Sequence, residues 1–190
     1  MRITAVRHGE TLENAAMVVQ GQSRGTLSPE GIQQIQKLGE RLAGDSFDIC
    51  YSSDLERCRD TAGAILLRQP DLQVVYDERL RERSMKPEEG KLFKDIDWDW
   101  ADDRKLDHKT KEGESWIQVI ERVADFLNDT YDRHTDDHIL VVSHGGPLRA
   151  MIALLLGGGW DVVGRTSINN CETLEWTMEA SVDAAAVRSQ

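Results

Sequence analysis

The chain reads as an α/β protein, a three-layer sandwich in which a mostly parallel central sheet carries helices on both faces. Two observations predict this class. Strand-like and helix-like segments alternate along most of the sequence. The stretch HILVV, His138 to Val142, is a near-continuous apolar run of the kind buried on both faces of a parallel sheet. With 190 residues, 39% of them hydrophobic, the chain is long enough for one sizeable core. Neither an internal repeat nor an interdomain linker interrupts it. A single catalytic domain is therefore expected over residues 1–178, with an excursion from the core at about 86–112 and a frayed Ala-rich tail at 179–190.

The elements follow in order. Residues 2–7 form an apolar first strand. Ser28, Pro29 and Glu30 make a helix start, with an N-cap serine, proline at the first helical position and an acid in the first turn. Ile32, Ile35, Leu38 and Leu42 then recur at helical spacing until Gly44. Phe47–Tyr51 reads as the second strand. Ser52, Ser53 and Asp54 are expected to cap a helix carrying Leu55, Cys58, Ala62, Ile65 and Leu66, and Leu72–Tyr76 is a short third strand. Between Lys86 and Glu114 the periodicity fails, and DIDWDWADD sets Trp98 and Trp100 among acids. Order returns at Glu114–Tyr131, where Ile117, Ile120, Val123, Ala124 and Leu127 share a helical face. After HILVV, Pro147 opens a helix that ends at the glycines 157–159, and CETLEWTM alternates as a last strand.

A net charge of -11 makes the chain a poor partner for nucleic acid or anionic membranes. The longest apolar stretch, near Met151–Leu156, is far short of the ~20 residues that span a bilayer. A signal-peptide pattern is not evident at the N-terminus. Three cysteines without a CxxC pair, Cys50, Cys58 and Cys171, suit a reducing cytoplasm rather than a disulfide framework.

Ligands in open α/β sheets bind outside the carboxyl ends of the strands. The first strand ends in Arg7, His8 and Gly9. The second runs into SSDLERCRDTA, with Arg57 in a first helical turn. The third leads to RLRER, with Glu82 between arginines. HILVV delivers Ser143, His144, Gly145 and Gly146 to a helix start. Two arginines, two histidines and helix N-termini make a local anion site in an acidic chain, and the planar fork of arginine suits phosphate. Taken singly these residues have blander readings: Arg57 as a solvated helix charge, His8 or His144 as turn residues, Asn14 as a turn cap. Cys58 reads as core. His108, His134 and His138 read as surface groups, and Trp98 and Trp100 as either a small satellite core or a substrate wall.

RHGETLEN, GQSRGTLSPEGIQQ, YSSDLERCRDTA, ERLRERSMKPEEGK with GESWIQVIERV, and VVSHGGPLRAMI occur in the order found in the histidine phosphatase superfamily, which is also called phosphoglycerate-mutase-like. The chain resembles that family over roughly residues 1–177. The resemblance implies that His8 is a nucleophile that becomes phosphorylated. It implies that Arg7, Arg57 and His144 hold the phosphoryl group and that Glu82 donates a proton to the leaving group. Asn14, Gln20, Thr26 and Gly145 would touch phosphate or substrate. Glu78, Glu88 and Glu89 compete with Glu82 on chemical grounds alone. Lys86 stands where the family's acid segment usually has a glycine four residues beyond the acid, which bears on loop shape and substrate contacts.

The implied function is a phosphatase of a small phosphate monoester, acting through phosphohistidine with neither metal nor cofactor. The expected partner is therefore a small phosphorylated molecule. Two alternatives are a phosphoglycerate-type mutase and a non-catalytic phospho-ligand binder. The retention of both His8 and Glu82 favours an enzyme, and the short acidic excursion favours hydrolysis over transfer. A metal hydrolase built on His8, His144 and Glu82 is disfavoured by the arginines that would flank its cation.

Overall fold

The computed structural model describes residues 1–98, 106–157, 160–164 and 166–188. Five strands, β1 (Arg2–Arg7), β2 (Ile49–Ser52), β3 (Val74–Tyr76), β4 (His138–Ser143) and β5 (Thr173–Thr177), form one sheet in the order β3-β2-β4-β1-β5. The first four are parallel, and β5 runs antiparallel along β1 at the edge. Alternation in the strands feeds two cores. Ile3, Ala5, Tyr51, Ile139 and Val141 face α4 (Trp116–Tyr131) and α5 (Gly145–Leu156). Val6, Cys50, Leu140 and Val142 face α2 (Pro29–Leu42) and α3 (Glu56–Leu66). The three-layer architecture is the one the alternation predicts.

Register decides where the chemistry goes. Arg7 pairs with Ser143, and Ser52 with Val142, so the carboxyl ends of β1, β2 and β4 stop level with one another. His8 N then donates to Ser143 O at 3.0 Å and Ser53 N to Val142 O at 2.9 Å, which carries the ladder one residue further. The turn after His8 is held against the start of α2. Ser28 caps that helix through Gly31 N at 2.9 Å and donates its hydroxyl proton to Glu10 Oε1 at 2.7 Å. Gly31 is required there, because a Cβ would stand 1.9 Å from Glu10 O.

Several boundaries differ from expectation. β2 begins at Ile49 rather than Phe47, and α4 begins at Trp116 behind a capping box made by Ser115 and Gln118. α3 has Leu55 at its N-cap with no side-chain cap. Asp54, expected to cap it, instead forms an ion pair with Arg81 at 2.5 Å. Gly157 ends α5 in the left-handed conformation, φ 67°; the glycines 158 and 159 lie outside the described residues.

The tail corrects the sequence reading. Val182 donates to Asn128 Oδ1 at 2.8 Å and accepts from Asn128 Nδ2 at 3.0 Å, so one amide side chain grips it as a strand partner would. Residues 184–188 then form a last helix, and Val187 is 4% exposed in the core shared with α4 and α5. The cause is apolar burial by Val182, Ala184 and Val187, which a composition dominated by alanine hides. Asn128→Ala should cost about 1–2 kcal/mol by leaving two backbone groups unpaired. Faster amide exchange at Val182 should accompany that loss in chemical denaturation, and unchanged exchange would show that the tail is not held in this way.

Candidate active site

At the level ends of the strands lies a cavity of about 330 Å³. Arg7, His8, Asn14, Gln20, Arg57 and Glu82 line it, all predicted from sequence. His8 is 3% exposed. Its Nδ1 lies 2.8 Å from Gly9 O, which can only accept, so Nδ1 carries the proton and a neutral ring keeps its lone pair on Nε2. Burial, and then the charges of Arg57 and Arg7, push its pKa well below the ordinary histidine value. The ring is therefore neutral at neutral pH, with a lone pair on Nε2. Asn170 adds support by donating to His8 O at 2.9 Å.

Arg57 is 1% exposed and bonds to no carboxylate among the described residues. Its fork donates to Gly21 O at 2.8 Å, Ser23 O at 3.0 Å and His144 Nδ1 at 3.2 Å. Arg7 donates to Ile168 O at 2.6 Å, while its buried Nε has no protein partner. Both guanidiniums have their pKa lowered, chiefly by burial. An anion accepting from Arg7 would satisfy the idle donor and balance both charges.

Glu82 enters between Arg7 and the start of α5. Its Oε1 accepts from Arg83 N at 2.8 Å and Gly146 N at 3.1 Å, and its Oε2 accepts from Gly146 N at 3.3 Å. Gly146 is needed for this approach: a Cβ there would meet Glu82 Oε1 at 2.2 Å. The backbone of Glu82 is anchored in turn, because its carbonyl accepts from Gln22 Nε2 at 3.0 Å. The Glu114–Arg122 ion pair braces the same segment at 2.9 Å. Among the competing acids, Glu78 pairs with Arg81, Glu88 pairs with Lys91, and Glu89 accepts from Gln22 N and Met85 N. None of the three lines the cavity.

The structure places three predicted residues elsewhere. His144 was expected among the residues that hold the phosphoryl group. It is wholly buried, does not line the cavity, and accepts from Arg57 while its Nε2 donates to Ser53 Oγ at 2.8 Å. Its ring lies 5.0 Å from that of His8, so here it orients Arg57 and backs His8. Thr26 is exposed and outside the cavity, its backbone being used to hold α1 (Leu12–Ala15) through Leu12 N at 2.9 Å. Gly145 lines a neighbouring cavity that shares Arg7, Glu82 and Arg149. Cys58 is buried and its thiol is pushed up to a pKa far above the ordinary range, as a core residue. His134 is not a plain surface group, since it bridges Tyr51 and Asp137 at 2.9 and 2.8 Å.

Sequence reading missed Arg83, Arg149 and Trp116, all in the cavity wall. Arg83 and Arg149 lie over the Trp116 ring at 4.6 and 5.3 Å. Arg149 follows Gly145 by one helical turn, and that spacing was the signal available. Among the described residues no three His, Cys, Asp or Glu side chains are arranged to hold a metal ion, and no helix is long and apolar enough to cross a membrane.

Residues 3–184 match the histidine phosphatase superfamily, branch 1, and the chain belongs to it as an enzyme of the phosphatase kind. A putative phosphoserine phosphatase 2 of Hydrogenobacter thermophilus is 33% identical over 185 residues, covering 94% of this chain and 90% of that one. A probable phosphoglycerate mutase of Erwinia tasmaniensis is 31% identical, covering 90% and 82%. Among solved structures, a phosphoserine phosphatase of Entamoeba histolytica in complex with 3-phosphoglyceric acid superposes with a TM-score of 0.80 at 27% identity, covering 92% and 89%.

The buried imidazoles set the pH dependence of stability. His8 and His144 both have folded pKa values well below 6.5, so near pH 6 the unfolded chain binds more protons than the folded one. Stability is therefore full above the unfolded value and falls as pH drops below about 6.5. The slope should approach about 1.4 kcal/mol per pH unit for each ring. His8→Gln should remove one ring's share of that slope between pH 7.5 and 5.5. An unchanged slope in urea melts would mean that His8 is not buried in its neutral form.

Proposed function

We propose that this member of the superfamily hydrolyses a small phosphate monoester without a metal ion, through a phosphohistidine formed on His8. One observation carries the reading. A buried neutral imidazole with its lone pair on Nε2 shares a cavity with two guanidiniums, that of Arg57 buried and bonded to no carboxylate among the described residues, and that of Arg7 with its buried Nε unpaired there. Such a site suits an anion with several acceptor oxygens and offers it a nucleophile. The phosphatase and mutase names of the relatives support the same class of substrate.

The steps follow from the residues. Phosphate monoesters resist attack, and enzymes accelerate their hydrolysis by up to ~10²¹. His8 Nε2 attacks phosphorus as the ester P–O bond breaks, which divides one difficult displacement into two. Arg7 and Arg57 stabilise the charge spread over the equatorial oxygens. Glu82 in its acid form gives its proton to the departing alkoxide. As a carboxylate it then takes a proton from the water that attacks phosphohistidine, so that inorganic phosphate leaves and His8 is restored. A metal-centred route would need a lone pair on His144, yet Nδ1 already accepts from Arg57 and Nε2 carries the proton given to Ser53.

Rapid mixing with ³²P-labelled substrate, quenched in base, should leave acid-labile label on His8. His8→Ala should lose label and turnover together while keeping its fold, and substantial activity in that variant would overturn the mechanism. Glu82→Gln should slow an alkyl phosphate by about 10²-fold or more and 4-nitrophenyl phosphate far less, because nitrophenolate leaves without a proton. Equal losses would exclude Glu82 as the acid. With 3-phosphoglycerate and catalytic 2,3-bisphosphoglycerate, inorganic phosphate is the expected product. Rapid formation of 2-phosphoglycerate with little phosphate released would establish a mutase instead.

A further inference from the structure

The cavity has a second character beyond its charges. Val19, Met85, Phe93 and Trp98 also line it. Phe93 is 49% exposed, and its ring meets that of Trp98 at 4.2 Å between centroids, tilted by 33°. Trp98 Nε1 donates to Phe93 O at 2.8 Å, which ties the two rings into one unit. Trp100, the other tryptophan of the excursion, lies outside the described residues.

This apolar wall is fixed in place by backbone bonds to the phosphate-site loop. Gly90 N donates to Val19 O at 2.8 Å, Val19 N to Lys91 O at 2.9 Å, and Phe93 N to Met17 O at 2.8 Å. Val18 and Leu92 form an antiparallel bridge between them. Residues 90–93 are thus zipped to residues 17–19, immediately before Gln20 and Gly21. The carbonyl of Gly21 holds Arg57. An aromatic side chain that is half exposed contributes little to folding for its area. Here one is nevertheless carried on a ladder that runs directly into the phosphate cradle.

We infer that the wall is a leaving-group subsite, and that the preferred substrates are phosphate monoesters whose organic part bears an aromatic ring or a comparably flat apolar group. The inference rests on the proposed phosphomonoesterase reading and adds the substrate class to it. With phosphate between Arg7 and Arg57, a ring one or two carbons beyond the ester oxygen can lie against Phe93, Trp98 and Met85. The far side of the cavity presents Trp116 with Arg83 over its ring, a surface that also accepts a flat group. A short polar triose or amino-acid ester leaves the Phe93 face wet.

Binding of non-hydrolysable phosphonates tests the subsite without any chemical step. By isothermal titration, 2-phenylethylphosphonate should bind about 10- to 30-fold more tightly than ethylphosphonate, as expected for hiding much of one ring face on each side. Phe93→Ala should remove most of that advantage while leaving the affinity for inorganic phosphate unchanged. That side chain is largely exposed and outside both cores, so the variant should fold. Equal affinities for the two phosphonates would overturn the inference, as would a Phe93→Ala loss shared equally by inorganic phosphate. The matching esters, 2-phenylethyl and ethyl phosphate, have similar alkoxide leaving groups, so the same ratio should appear in kcat/KM. Selective phosphonate binding without hydrolysis of either ester would keep the subsite and overturn the phosphatase reading alone.

Discussion

A buried arginine with no carboxylate partner among the described residues is the constraint from which most of this site follows. Moving a guanidinium out of water is costly unless each donor finds an acceptor. Arg57 meets that demand with two loop carbonyls, from Gly21 and Ser23, and with an imidazole nitrogen of His144. The consequences spread outward. The Gly21–Ser23 loop must sit over α3. His144 must present a lone pair at Nδ1, which places its proton on Nε2 and calls for Ser53 Oγ to receive it. His144 then fills the space behind His8, whose own Nδ1 is committed to Gly9 O. Apart from the Nε of Arg7 these hydrogen bonds are satisfied, but charge is not. The surplus positive charge and the idle Nε of Arg7 are held in reserve for an anion. Any anion that binds there stabilises the fold by mass action.

The acid is positioned by the opposite logic. A carboxylate beside this much positive charge would be drawn into an ion pair with Arg7 or Arg57 and lost to catalysis. The backbone of α5 prevents that by supplying Gly146 N, an N-terminal helix donor that attracts a carboxylate through the same polarity that attracts phosphate. Arg83 N adds a second fixed donor. The Glu82 carboxylate is held by main-chain donors, and its carbonyl by the side chains of Gln22 and Arg122. The absence of a side chain at residue 146 is what admits the carboxylate.

Much of this was legible in the sequence, and the limits have physical causes. The strands were visible because a parallel sheet demands unbroken apolar runs, and the strand ends then located Arg7, His8 and Arg57, whereas Glu82 was singled out from the neighbouring acids only by the family resemblance. Residues whose role depends on long-range packing were not visible. Arg149 looks like any solvated helix arginine until Trp116, arriving from another helix, supplies the surface beneath it. Asn170 reaches His8 O only because β5 turns antiparallel at the sheet edge. Thr26 and His144 show the converse. Each stands in a motif of the right pattern, yet the backbone of Thr26 serves to hold a short helix, and the buried His144 lies behind His8 and Arg57 rather than in the cavity lining. The docked tail was hidden because alanine carries little periodic signal, while the grip of Asn128 on Val182 joins residues 54 positions apart.

The charge balance of the whole chain explains why the site needs two kinds of surface. At -11 the protein repels anions at distances beyond its cavity, and salt screens that field over about 8–10 Å. Attraction to phosphate therefore acts only at short range, once the anion is among Arg7, Arg57, Arg83 and Arg149. Every phosphate monoester, and inorganic phosphate itself, presents much the same anionic group to those arginines. Charge alone cannot choose between them. Discrimination must come from the organic part, through surface area and shape, and the molecule supplies that on the ribbon formed by residues 17–19 and 90–93. Two relatives of nearly equal identity carry phosphatase and mutase names, which is the pattern expected when the phosphate cradle is shared and the neighbouring wall is free to vary. In a fold of this kind the strand ends set the reaction, and the excursion after the acid sets what the phosphate is attached to.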